Sequence, residues 1–301
     1  MEDFPFRLDR IPGEIVDDVI QSALREDLGE EGDITTLATL GTIPQTKRAF
    51  ILAKEEGVVC GLDVMRRAFS LVDSAVRVEC LVHEGEWVEK GKVIAEIDGT
   101  VQSILTGERV ALNFLGFMSG IATKTARIVE KLQGTKLRLL DTRKTLPGLR
   151  MFEKYAVSVG GGYNHRYGLY DMILIKENHR VTAGGIVPAV ERARQMYPHK
   201  VIELEVSTLD EVREALVTSA DILMLDNMSD EEISLAVEIV SGLKKLEASG
   251  NMTEERIVRL ARRGVDFVSM GALTHTLSFL DVSLLMEEFV QKRGRDFSSK
   301  S

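Results

Sequence analysis

From Leu137 onwards the chain alternates short apolar runs with segments of helical character, and each apolar run ends in polar or charged residues. The runs at 137–140, 172–176, 201–206, 222–226, 245–248 and 267–270 read as strands. Between them stand helix starts with a capping hydroxyl ahead of an acidic first turn: Thr208 before Asp210-Glu211, Ser229 before Asp230-Glu231-Glu232, and Thr253 before Glu254-Glu255. Successive strands are about one βα unit apart, so the segment predicts a parallel sheet covered by helices, as a barrel or a doubly wound sheet. Such sheets bind ligands at the carboxyl ends of their strands, which makes the residues ending each run the place to look for chemistry.

The first half of the chain has a different pattern. Apolar positions from Ile15 to Leu24 recur at helical spacing, and Gly29 and Gly32 end that helix. Strand-like runs follow at 48–54, 76–82, 92–97 and 100–105, punctuated by glycines that suggest tight turns. The stretch 108–131 is apolar at helical spacing, with Gly116 and Gly120 admitting close packing or a break. Around Trp87, the segment His83-Glu84-Gly85-Glu86 with Asp98-Gly99 looks like the hairpins of a lipoyl or biotinyl carrier, but no lysine stands at the hairpin tip, so it reads as structural.

Composition narrows the function. A net charge of -9 argues against general nucleic-acid binding, yet basic residues concentrate between Arg138 and Arg180, which predicts a local site for an anionic small molecule. No window approaches the roughly 20 apolar residues of a membrane span, and the first residues are acidic rather than basic, so a cytoplasmic protein is expected. The two cysteines, Cys60 and Cys80, lie in apolar runs and read as buried thiols without a disulfide.

The strand ends carry the chemistry. They supply Asp141-Thr142-Arg143-Lys144, Lys176-Glu177-Asn178-His179, Glu203 and Glu205, Asp226-Asn227, Ser249-Gly250-Asn251 and Gly271-Ala272. Glu205 and Asp226, each after apolar residues, suit a barrel mouth where sugar hydroxyls or Mg²⁺ would answer them. Ser249-Gly250-Asn251 and Gly271 precede helical segments, whose N-terminal backbone N–H groups suit a phosphate. Gly160-Gly161-Gly162 ahead of Asn164-His165-Arg166 offers backbone freedom beside a ligand, and Arg supplies the fork that pairs with carboxylates. GxSxG, HExxH, zinc clusters, a Walker loop and GxGxxG are absent, which demotes hydrolases, zinc enzymes and nucleotide dehydrogenases.

The strings Asp141-Thr142-Arg143-Lys144-Thr145-Leu146-Pro147-Gly148-Leu149-Arg150, Gly160-Gly161-Gly162-Tyr163-Asn164-His165-Arg166, Leu174-Ile175-Lys176-Glu177-Asn178-His179, Met224-Leu225-Asp226-Asn227 and Glu247-Ala248-Ser249-Gly250-Asn251 closely resemble the nicotinate-nucleotide pyrophosphorylase (carboxylating), or quinolinate phosphoribosyltransferase, family. The resemblance implies an α/β protein, with an N-terminal α/β sandwich over 1–118 joined by a C-terminal helix at 277–301, and an open, incomplete α/β barrel over 119–276. It implies that quinolinate and 5-phosphoribosyl 1-pyrophosphate give nicotinate mononucleotide, pyrophosphate and CO₂ in NAD synthesis, with Mg²⁺ and a homodimer of shared active sites. Carried over by position, Arg109, Arg143, His165, Arg166 and Lys176 would surround the quinolinate carboxylates. Lys144, Glu205, Asp226, Ser249, Gly250 and Gly271 would hold the phosphoribosyl group, with Lys144, Lys176, Glu205 and Asp226 catalytic and Glu205 and Asp226 the metal ligands. Leu146 and Ser158-Val159 depart from residues frequent in the family, none at a charged site position. The competing readings are a phosphoribosyltransferase for nicotinate, a relative associated with molybdenum transport, and a non-catalytic anion-binding or carrier protein.

Overall fold

The structure, a computed structural model, describes residues 4–288 and divides into two compact units. One comprises residues 9–124, 151–160 and 277–288; the other comprises 4–8 with 125–150 and 161–276.

The first unit is built on β1 (Thr46–Ala53), β2 (Gly57–Val58), β3 (Arg77–Cys80), β4 (Trp87–Val88) and β5 (Val93–Thr100). β1 pairs antiparallel with β5, and β5 with β3, while β2 and β4 form a separate two-stranded ribbon. The period-two alternation of β1 puts Ala49, Ile51 and Ala53 inside, where each is 1% exposed or less. Cys60 is buried, whereas Cys80 is only half-buried because β3 alternates exposed and intermediate positions at the edge of the sheet.

Two further sequence expectations fail in this unit. The run 100–105 is not a strand: the helix Val101–Lys131 begins there, directly after β5. Its β-branched residues suggest a strand, but the Thr100 hydroxyl accepts the Ser103 N–H, and Ile104 joins Ala111, Leu115 and Met118 in one fully buried stripe. Close packing rather than a break explains the glycines in that helix, since a Cβ on Gly120 would stand 2.8 Å from the Ser278 carbonyl carbon. The second failure is the C-terminal helix at 277–301, where residues 282–286 form a strand and 289–301 lie outside the described residues.

In the second unit, β6 (Arg138–Leu140), β7 (Ile173–Ile175), β8 (Ile202–Val206), β9 (Ile222–Asp226), β10 (Lys245–Ser249) and β11 (Phe267–Ser269) make one parallel sheet in the order β6-β11-β10-β9-β8-β7. Its two edges do not pair with each other, so the barrel stays open. The segment around Tyr163 bridges to Leu140 on the β6 edge, and Phe6 pairs in turn with Asn164. The helices between strands start where the capping residues indicate: Thr208, Ser229 and Thr253 each accept a backbone N–H from the first turn. The last strand among the described residues, β12 (Val282–Met286), returns to the first unit and completes the sheet order β12-β1-β5-β3. Pairing with β1 satisfies backbone groups that an edge strand leaves open, which outweighs helical propensity there.

No helix among the described residues is long and apolar enough to cross a membrane.

Candidate active site

A cavity of about 610 Å³ opens at the carboxyl ends of the barrel strands. Arg143, Lys144, His165, Arg166, Lys176, Glu205, Asp226, Ser249, Gly250 and Gly271 all line it, so residues spread over 129 positions of sequence meet at one mouth. Arg109 is the exception: it is exposed on the helix Val101–Lys131 in the other unit and is not among the lining residues.

The cationic wall comes from two segments. After β6 the chain turns through Thr142, whose hydroxyl accepts the Lys144 N–H at 3.0 Å, while the Thr274 hydroxyl donates to the Lys144 carbonyl at 2.7 Å. Those contacts pin the backbone of Lys144, and its side chain passes over Gly271, where an added Cβ would stand 3.1 Å from the lysine Cδ. The second segment is latched to the end of β6 by Asp141, which accepts the His165 N–H at 2.8 Å and the Asn164 amide at 2.7 Å. This latch delivers Arg166, 6% exposed, to the cavity wall.

Arg166 and Arg143 are not neutralised by the protein around them. Burial, and then the like charge of Arg143, pull the Arg166 guanidinium below its ordinary pKa, against weaker support from Glu203 and Asp171. Arg143 Nε is buried without a hydrogen-bond partner. Two adjacent guanidinium groups that lack sufficient internal counter-charge are arranged for an anion with at least two negative groups.

The opposite wall is acidic. Glu205 stands one residue before the end of β8 with its Oε2 3.0 Å from Lys176 Nζ, and Asp226 ends β9. Burial, followed by the charge of Glu205, raises the Asp226 carboxyl above its usual range, while Asn227, Lys176 and Lys144 act in the other direction. Beyond it, Gly250 (φ 91°) and Asn251 (φ 50°) occupy the left-handed region in succession, as does Asn227 (φ 56°) on the neighbouring strand end. Ser249 and Gly250 do not open the following helix, which starts only at Glu254 behind the Thr253 cap. Successive main-chain N–H groups in such a turn can cradle phosphate without a helix terminus. Gly271 does stand directly before a helical turn, Ala272–His275.

Asn227, Asn251, Ser269 and His275 also line the cavity; Asn227 and Asn251 stand among the strand ends named from the sequence, whereas Ser269 and His275 escaped that reading. Asn227 and Asn251 both follow a strand end and precede Met, in Asp226-Asn227-Met228 and Gly250-Asn251-Met252, and Asn is the non-glycine residue that best tolerates the left-handed region. His165 lines the cavity as expected but is only 4% exposed, and both ring nitrogens face protein atoms.

The family described as "Quinolinate phosphoribosyl transferase, C-terminal domain" matches residues 121–285, and its N-terminal domain matches 33–119. An Arabidopsis thaliana chloroplastic nicotinate-nucleotide pyrophosphorylase (carboxylating) is 41% identical over 92% of this chain and 84% of its own. A Nicotiana glauca mitochondrial quinolinate phosphoribosyltransferase (decarboxylating) is 40% identical over the same shares of the two chains. Among solved structures, the nicotinate-nucleotide pyrophosphorylase of Francisella tularensis superposes with a TM-score of 0.90 at 42% identity, covering 93% of this chain and 99% of that one.

Proposed function

The chain belongs to the quinolinate phosphoribosyltransferase family, and on that premise we propose that the carboxyl-end cavity joins quinolinate to the ribosyl carbon of 5-phosphoribosyl 1-pyrophosphate. Its activity is phosphoribosyl transfer with decarboxylation, giving nicotinate mononucleotide, pyrophosphate and CO₂ for NAD synthesis. The observation that carries the substrate is the Arg143–Arg166 pair, whose charge the protein leaves short of counter-ions. A dicarboxylate supplies that counter-charge, and a monocarboxylate such as nicotinate supplies half of it.

The residues then divide the work. Arg143 and Arg166 bind the carboxylates and turn the pyridine nitrogen toward the donor, with Lys176 beside them. The loop at Ser249 and Gly250, with Gly271, takes the donor's phosphate. Glu205 and Asp226 orient the ribose hydroxyls, and Lys144 offsets charge on the departing pyrophosphate. As the C–O bond to pyrophosphate breaks, the ring nitrogen forms the new C–N bond through a transition state with oxocarbenium character. The nitrogen, now quaternary, stabilises the electron pair left on the adjacent ring carbon when its carboxylate leaves as CO₂, and that carbon takes a proton from water. The protein's part in this last step is to hold and desolvate the departing carboxylate.

Glu205 and Asp226 suit Mg²⁺: they are hard oxygen ligands, and the raised Asp226 carboxyl marks a pair whose full ionisation calls for a nearby cation. When bound, the metal would supply positive charge for the pyrophosphate. A homodimer, with the exposed Arg109 of each chain completing its partner's site, is part of the same proposal.

The test offers purified protein the ribosyl donor with either quinolinate or nicotinate, and follows CO₂ and mononucleotide with and without a chelator. Product and CO₂ from quinolinate alone, abolished by chelation and restored by Mg²⁺, are expected. Product from nicotinate alone would overturn the substrate, and activity indifferent to chelation would overturn the metal.

A further inference from the structure

One layer beneath the mouth, the barrel interior holds titratable groups that the reaction above does not use. The two-residue period of β8 places Glu203 on the face of Glu205 but deeper, and β10 places Glu247 likewise beneath Ser249. Both glutamates are 0% exposed. His165 Nε2 lies 2.9 Å from Glu203 Oε2 and 3.5 Å from Glu247 Oε2. On the other side of the ring, His165 Nδ1 accepts the main-chain N–H of Arg166 at 2.8 Å. The Phe4 ring meets the imidazole edge to face, with centroids 5.3 Å apart.

A histidine and two glutamates whose ligand atoms lie within 4.8 Å of one another have the composition of a metal site. The tautomer decides against that. An N–H donor directed at Nδ1 requires a lone pair there, so the ring proton sits on Nε2, and Nε2 presents an N–H to the carboxylates where a metal would need a lone pair. The glutamate oxygens, at 2.9 and 3.5 Å, face that N–H at ion-pair distance.

We propose that Glu203 and Glu247 are positioning residues for Arg166: they hold His165 in the Nε2–H tautomer, which leaves Nδ1 to fix the Arg166 main chain and so the placement of its guanidinium beside Arg143. This rests on the reading of the cavity as a dicarboxylate site, and it makes His165 a support for Arg166 instead of a carboxylate ligand in its own right. The same logic operates where a second partner on a histidine ring dictates what the first nitrogen can do.

Two measurements test it on the whole 301-residue chain. The first is ¹⁵N–¹H correlation of labelled histidine, with the His165 signals assigned from a His165→Gln sample. A protonated Nε2 and an unprotonated, hydrogen-bonded Nδ1 are expected; the opposite tautomer, or a doubly protonated ring, overturns the proposal whatever the enzyme's substrate. The second is steady-state kinetics of Glu203→Ala and Glu247→Ala beside the Gln variants. Each Ala variant should raise KM for quinolinate roughly tenfold or more and leave KM for the ribosyl donor within about twofold, because only the Arg166 wall moves. The Gln variants, which keep an acceptor oxygen, should recover most of that loss. Equal changes in both KM values, or none, would overturn the positioning role. Should an Ala variant fail to fold, the Gln variant's kinetics and ring spectrum still decide the matter. Failure of wild-type protein to act on quinolinate would strike the proposed function and leave the tautomer result standing by itself.

Discussion

Gly250→Ala is a one-carbon change at the phosphate loop, and its cost can be worked from the geometry. Gly250 holds φ at 91°, a region in which an L side chain loses about 1–2 kcal/mol. The added Cβ would stand 2.6 Å from Asn227 Cγ and 3.0 Å from Asn227 N, so the asparagine must leave its place. That departure breaks the 3.2 Å bond from the Asn251 amide to Asn227 Oδ1 and the 2.8 Å bond from Asn227 Nδ2 to Asp226 Oδ2, each about 1 kcal/mol. The sum is about 3–4 kcal/mol, or a few hundredfold, if all of it falls on binding. Part will instead appear as lowered stability, so a rise of about 10- to 100-fold in KM for the ribosyl donor is expected, with KM for quinolinate little changed. The assay is CO₂ release at saturating quinolinate and varied donor, beside a thermal melt. A folded variant with an unaltered donor KM would refute the assignment of this loop to phosphate.

Lys144→Ala and Lys176→Ala should each reduce turnover by about two orders of magnitude or more while far-UV circular dichroism stays native, since both side chains reach the cavity and neither is needed in the core; near-normal rates in both would refute their roles. Stability should fall as pH rises through the neutral range. Burial comes first among the causes that raise the carboxyls of Glu203 to about 7 and Glu247 to about 8, so between the ordinary value of 4.5 and those values the folded state binds more protons than the unfolded state. The contribution is therefore complete below pH 4.5 and lost by about pH 8, at up to about 1.4 kcal/mol per pH unit for each group. Denaturant melts of Glu247→Gln across that window should show a shallower decline than wild type, and parallel curves would count against the burial of this pair.

The barrel was legible because each of its strands is a short apolar run closed by polar residues, and because the caps Thr208, Ser229 and Thr253 announce the helices between them. The site was legible for the same reason: in a parallel sheet, the residue after the apolar run is the one at the mouth, so Lys176 and Asp226 could be placed before their neighbours were known. What failed depends on partners that a local window does not contain. Val101 to Leu105 has the β-branched look of a strand, and only the Thr100 cap and the buried stripe running on from Ile104 to Met118 make it helix. Val282 to Met286 takes its structure from β1, more than two hundred residues earlier. Glu203 and Glu247 look like ordinary strand carboxylates until β8 and β10 put them against the same imidazole.

The electrostatics of the barrel have an order that follows from depth. At the mouth, Arg143 and Arg166 press on each other with too little acidic company, a strain that a ligand carrying two carboxylates relieves. One layer below, the excess is reversed: two fully buried glutamates share one imidazole, and the charge of Arg166 is among the few that favour ionising Glu203. Exchanging those layers would ruin both, because buried acids in the places of Arg143 and Arg166 would repel the substrate's carboxylates and buried cations beneath would find no partner. A chain with a net charge of -9 can therefore bind a polyanion, since the field at the mouth is set by which side chains stand in the last layer of the strands.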